Sequence, residues 1–134
     1  MLGAEKQKAW LTDQAFLKER GFETVDTTEN GYALLALSFD GTKPHFTENA
    51  KTMRIDEQGL VVHYDPQCPY ATQSISQIET YCKDNGVPVE FRLVDTLEKA
   101  KALPCVFNNW AVFYRGAFQT VNLLDTAALK RILK

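Results

Sequence analysis

Leu60-Val61-Val62-His63-Tyr64-Asp65-Pro66-Gln67-Cys68-Pro69-Tyr70 passes from an apolar, β-branched run through a break into a helical pattern. The residues 60–64 have strand character, and Asp65-Pro66 ends it. Pro69 suits the first position of a helix, because the amide it lacks is one that a helix leaves unpaired. The stretch therefore predicts a strand, a loop and a helix start, with Cys68 at or near the N-cap. A thiol there meets the positive end of the helix dipole, which favours thiolate and makes Cys68 the candidate catalytic residue. The other reading is a loop cysteine of ordinary reactivity, and these residues do not separate the two.

The chain of 134 residues has room for one domain, or for a small domain with a substantial appendage. A net charge of -2 with scattered Lys and Arg gives no electrostatic case for nucleic acid or an anionic membrane. The apolar run Tyr32–Leu37 is too short to span a bilayer, and the amino terminus is polar where a signal peptide would be apolar. A cytoplasmic location is expected. Three cysteines with no Cys-x-x-Cys pair point to free thiols rather than a disulfide framework. No ligand spacing suggests a metal site.

Residues 1–10 show little pattern beyond lysines. Thr12 or Asp13 can cap a short helix with Ala15, Phe16 and Leu17 as its apolar stripe, and Gly21 stands where a left-handed residue would end it. Trp10 and Phe16 are expected in the core of this first unit. Phe22–Asp26 alternates like a strand, Asn30-Gly31 marks a turn, and Tyr32–Phe39 reads as a strand buried on both faces, so a β-hairpin is predicted. Residues 41–58 have no sustained period and read as a connector between two units.

From residue 59 the pattern is clearer. After Leu60–Tyr64 and the helix opening at Pro69, Ile75, Ile78 and Cys82 recur at helical spacing until Asn85-Gly86. Cys82 is thereby expected in the core. Val89, Phe91 and Leu93 alternate as a strand. Asp95 or Thr96 caps a helix over 97–103, Pro104 closes it, Trp110–Tyr114 and Ala117–Val121 form a hairpin about Arg115-Gly116, and Asp125 caps a last helix. The order β-α-β-α-β-β-α is that of a thioredoxin-like domain. Cys68 then lies just beyond the carboxyl end of the first strand, where open α/β sheets expose their chemistry.

Two resemblances cover nearly the whole chain. His63-Tyr64-Asp65-Pro66-Gln67-Cys68-Pro69-Tyr70, with the later Phe113-Tyr114-Arg115-Gly116-Ala117-Phe118, resembles the YoaP-like domain that follows certain GNAT N-acetyltransferases, whose fold is thioredoxin-like. The segment from Trp10 through Gly21-Phe22 to Asp26 looks like the last helix and following strand of a GNAT domain, with Tyr32–Phe39 as its last strand. The resemblance implies a division into a partial GNAT-like segment (1–40), a connector (41–58) and a YoaP-like domain (59–134). It also implies acetyl-CoA as cosubstrate of a complete homologue. Departures are plain. No Gly-rich loop enters a helix to hold the pyrophosphate, and Leu17 stands where many GNAT enzymes have a tyrosine acid. Ala71 stands where dithiol redox proteins have their second cysteine, and near the third strand Asn108 and Asn109 stand in place of the usual proline. Acetyl transfer by this chain alone is not expected, nor is a cofactor held within it.

Three functions follow as expectations: an accessory portion of an N-acetyltransferase, monothiol redox chemistry through Cys68, or a non-catalytic interaction module. In a thioredoxin-like fold Cys105 comes up against the active-site turn, so it is either a second thiol able to pair with Cys68 or a small apolar residue in the packing. His63, Pro69 and Tyr70 are the candidate groove residues, with His63 read as paired or solvent-facing and Tyr70 either lining the groove beside Cys68 or covering the sheet. One helix and a hairpin bury too little to stand alone. The first unit is therefore expected to dock on the second, to pair with another copy, or to be completed by another chain carrying the rest of a GNAT fold.

Overall fold

The computed structural model describes residues 1–134 as seven strands and five helices in an α/β arrangement with two separate sheets. The chain divides into two compact units, Met1–Met53 and Arg54–Lys134.

In the first unit, helix α1 (Gln14–Glu19) starts where the Asp13 carboxylate accepts the Ala15 N–H at 2.9 Å. It stops at Arg20, followed by Gly21 at φ +89°. Strands β2 (Glu23–Thr27) and β3 (Tyr32–Ala36) pair antiparallel as the turn signal predicts, with a bulge between Thr24 and Asp26. Thr28 ties the turn: its hydroxyl donates to Asn30 Oδ1 at 2.7 Å and accepts the Tyr32 N–H at 3.0 Å. A further strand, β1 (Leu2–Ala4), lies on the other side of β3, giving the order β1-β3-β2. Nothing in those three residues signals a strand; β3 organises them. The open edges therefore belong to β1 and β2, and β3 is central.

Leu17, Ala33 and Leu35 make the core, with Phe22 against it. Trp10 and Phe16 do not join it. Each is 48% exposed. For Phe16 the reason is that a helix of under two turns presents one narrow face inward and Leu17 takes it, while Trp10 lies in the turn before the helix. Phe16 lies under the Arg20 guanidinium instead, at 4.7 Å. Strand β3 also ends earlier than read, leaving Leu37 and Phe39 exposed. The segment 41–58 contains a short helix, α2 (Glu48–Thr52), capped by Thr47 and ended by Met53 in the left-handed region.

The second unit runs β4 (Leu60–Tyr64), α3 (Ala71–Asn85), β5 (Val89–Leu93), α4 (Leu97–Lys101), β6 (Trp110–Tyr114), β7 (Ala117–Thr120) and α5 (Thr126–Leu133). Its sheet order is β5-β4-β6-β7, with β4 and β5 parallel and the other pairings antiparallel. Alternation divides the central strands between two faces. Leu60, Val62, Trp110 and Val112 pack with Ile78 and Cys82 of α3 and Leu129 of α5. Val61, His63, Ala111 and Phe113 point the other way. There Phe113 meets Phe118 edge-on and Phe118 stacks on Phe107. The apolar stripe read for α3 is correct, and Cys82 is 1% exposed.

Candidate functional site

The loop between β4 and α3 is built by its own side chains. Asp65 Oδ1 accepts the Gln67 N–H at 2.8 Å, folding the chain back after Pro66. The Asp65 N–H donates to Asn109 O at 3.0 Å, and the Val94 N–H to Tyr64 O at 2.8 Å, so the carboxyl ends of β4 and β5 and the loop before β6 meet. Helix α3 begins at Ala71, later than Pro69. Tyr70 takes the cap position with helical dihedrals and no side-chain cap. Cys68 thus stands outside the helix, and its carbonyl accepts the Ala71 N–H at 3.1 Å in a tight first turn.

The Cys68 thiol is half-buried and packs against the core on the α3 face. His63 is not beside it. As the odd member of the strand alternation it faces the opposite side of the sheet, edge-on to Phe113 at 5.6 Å. It is buried, and its Nε2 has no hydrogen-bond partner, so it is neither paired nor solvent-facing as read from the sequence. Pro69 and Tyr70 are exposed; Tyr70, 68% accessible, does not cover the sheet. Cys105 is a buried free thiol that donates to Phe107 O at 3.1 Å, and burial pushes it up to about 11. No three His, Cys, Asp or Glu side chains converge as a metal site.

A cleft of about 290 Å³ opens at this end of the sheet. Asp65 and Gln67 from the loop after β4, Asp95, Thr96 and Leu97 from the start of α4, and Asn108 from the loop before β6 line it. Cys68 is not on the wall, and no Lys or Arg lines it. The nearest cation of α4, Lys99, is bound to Asp95 at 2.7 Å and holds that carboxyl below the usual range. The cleft offers acceptors and amides, a surface for a donor-rich polar group rather than a phosphate. Asp95 and Asn108 were legible only as cap and loop residues. Their placement follows from β5 running parallel to β4.

One amide at each helix start is capped from within the chain. Asp13, Thr47, Thr96 and Asp125 accept N–H groups of their own helices, and the Cys68 carbonyl serves α3. These turns contain no glycine that would let a pyrophosphate approach.

No helix is long and apolar enough to cross a membrane. Residues 88–134 match the family described as YoaP-like. Over 134 residues the chain is 25% identical to the uncharacterized N-acetyltransferase YoaP of Bacillus subtilis (strain 168), an alignment that takes in 98% of this chain and 53% of that protein. The chain therefore spans about half the length of the curated relative. No solved structure matches it. Together these similarities support a relationship to an acetyltransferase-related, YoaP-like family.

Proposed function

We propose that this chain is the accessory, carboxyl-terminal portion of a GNAT-type N-acetyltransferase and does not transfer acetyl groups by itself. The observation that carries the reading is the alignment of 98% of the chain with about half of an N-acetyltransferase. Two features of the fold support it. The order β1-β3-β2 with α1 against it suits the end of a GNAT sheet, with the edge of β1 open to a further strand. The order β5-β4-β6-β7, with one parallel pair and a terminal antiparallel hairpin, suits a thioredoxin-like accessory domain.

The test is titration calorimetry with acetyl-CoA on the chain alone and on a hybrid joining it to the part of the Bacillus relative outside the alignment. No heat from the chain alone, and saturable binding by the hybrid, is expected. Binding by the chain alone would overturn the accessory reading. A second reading, monothiol exchange through Cys68, has one observation in its favour: Cys68 is the cysteine that is not buried, and it sits beyond the carboxyl end of β4.

A further inference from the structure

The cleft of about 290 Å³ at the carboxyl ends of the parallel pair β4 and β5 draws its lining from three segments: the loop after β4, the start of α4 and the loop before β6. Backbone bonds hold these segments in place. The Asp65 N–H donates to Asn109 O at 3.0 Å, and the Val94 N–H to Tyr64 O at 2.8 Å.

The lining combines two chemistries. Asp65, Gln67 and Asn108 supply a carboxylate and two side-chain amides, whereas Val94, Leu97 and Ala100 are apolar. Leu97 is 64% exposed, a large apolar side chain that its own domain leaves uncovered. No Lys or Arg contributes. Asp95, the second carboxylate, is already bound to Lys99 at 2.7 Å. Asp65 takes part in no ion pair, and its Oδ1 is held by the Gln67 N–H at 2.8 Å. The cleft therefore carries one uncompensated and positioned negative charge, with amide oxygens and an apolar patch in the same lining.

We propose that this cleft binds an alkylammonium group, as a small free amine or as the side chain of a lysine in a polypeptide. The ammonium donates to the Asp65 carboxylate and to the amide oxygens of Gln67 and Asn108, and its methylene stem covers Leu97. Acceptors carried on separate segments suit three donors that point apart better than they suit the planar fork of a guanidinium. Acetylation of the amine leaves a neutral amide with a single N–H, so the acetylated form lacks what the site recognises. The inference concerns the second unit alone and holds whether or not acetyl-CoA binds.

Amide chemical shifts of the full chain, titrated with n-butylammonium chloride near pH 7, read the site at Gln67, Leu97 and Asn108. Saturable shifts with a roughly millimolar dissociation constant are expected there, with Val62 and Ile78 unmoved. Butan-1-ol has the stem without the charge and should bind about tenfold more weakly. The same loss is expected for n-butylammonium on Asp65→Asn, whose side chain keeps an oxygen for the Gln67 N–H. Nα-acetyl-lysine N-methylamide separates the two sources: binding tighter than that of n-butylammonium points to a polypeptide lysine, and equal or weaker binding to a free amine. Shifts that do not saturate, that butan-1-ol reproduces, or that persist in Asp65→Asn would overturn the proposal. Should that variant not fold, salt decides in the unaltered chain. Raising sodium chloride from about 20 mM to about 300 mM should weaken n-butylammonium binding severalfold, and an unchanged affinity overturns the proposal equally.

Discussion

Ser74 Oγ donates to Leu124 O at 2.8 Å and accepts the Leu124 N–H at 3.1 Å, so one buried hydroxyl satisfies both backbone groups of a residue fifty positions away. The pair joins the second turn of α3 to the segment that leads into α5, on the face where Ile78 and Leu129 pack. It has no counterpart in the apolar pattern of α3, where a serine reads as a solvated residue.

Ser74→Ala leaves the Leu124 N–H and C=O unpaired in a buried place. We expect a loss of about 2–4 kcal/mol, since each buried orphan costs roughly 1–3 kcal/mol. Urea denaturation followed at β4 amides measures it, and a loss under about 0.5 kcal/mol would mean that the hydroxyl is dispensable.

Gly116 and Gly86 both have positive φ, +80° and +65°, but differ in surroundings. A Cβ at Gly116 would come within 2.9 Å of Ile55 O, whereas one at Gly86 meets nothing within 4 Å. Alanine at position 86 should cost the backbone penalty alone, about 1 kcal/mol. Alanine at 116 should cost more and lower protection at Ile55. Equal losses in parallel denaturant titrations would remove the steric argument.

Asp26 accepts Lys51 Nζ at 2.9 Å and the N–H groups of Thr27 and Phe46, and the Lys51 hydrogen bond is the main cause holding its carboxyl below the usual range. A lowered pKa means that the folded state gains from the ionised form above the unfolded value near 3.9 and loses that gain as pH falls through the folded value. Asp26→Asn should therefore cost about 1 kcal/mol at pH 7, and the difference from the unaltered chain should shrink below about pH 4. A difference that does not change with pH would show that packing, not charge, is what Asp26 supplies.

The three thiols should separate by access. Cys82 and Cys105 are buried and burial raises both, while Cys68 is half-buried at the loop. Iodoacetamide should label one thiol in the native chain and three in urea, as counted by mass spectrometry, and Cys68→Ser should remove the native label. Native labelling of Cys105 would instead show that the loop before β6 opens.

Much of this fold was legible because its signals are local. Asp125 caps the helix it was read to cap, Asp13 is the one of Thr12 and Asp13 that caps α1, Gly86 ends α3, and Arg115-Gly116 turns the β6–β7 hairpin. Each depends on the hydrogen bonding or backbone freedom of a few neighbouring residues. Cys68 at the loop after β4 was legible for the same reason.

The remainder depended on partners distant in the chain. Leu2–Ala4 is a strand only because β3 offers it an edge, and residues 54–58 are held by the β6–β7 turn and Arg92. His63 was beyond local reading because β4 is central and covered on both faces. Its run Leu60-Val61-Val62 is apolar throughout, so alternation no longer tells inside from outside. The amino-acid order determined the order of helices and strands from residue 12 onward, α2 excepted, and many of their ends, through caps, turns and apolar period. Only the tertiary structure decided which side chains were left without partners, because the surroundings of His63 Nε2 come from neighbouring strands, Phe113 on β6 and Arg92 on β5.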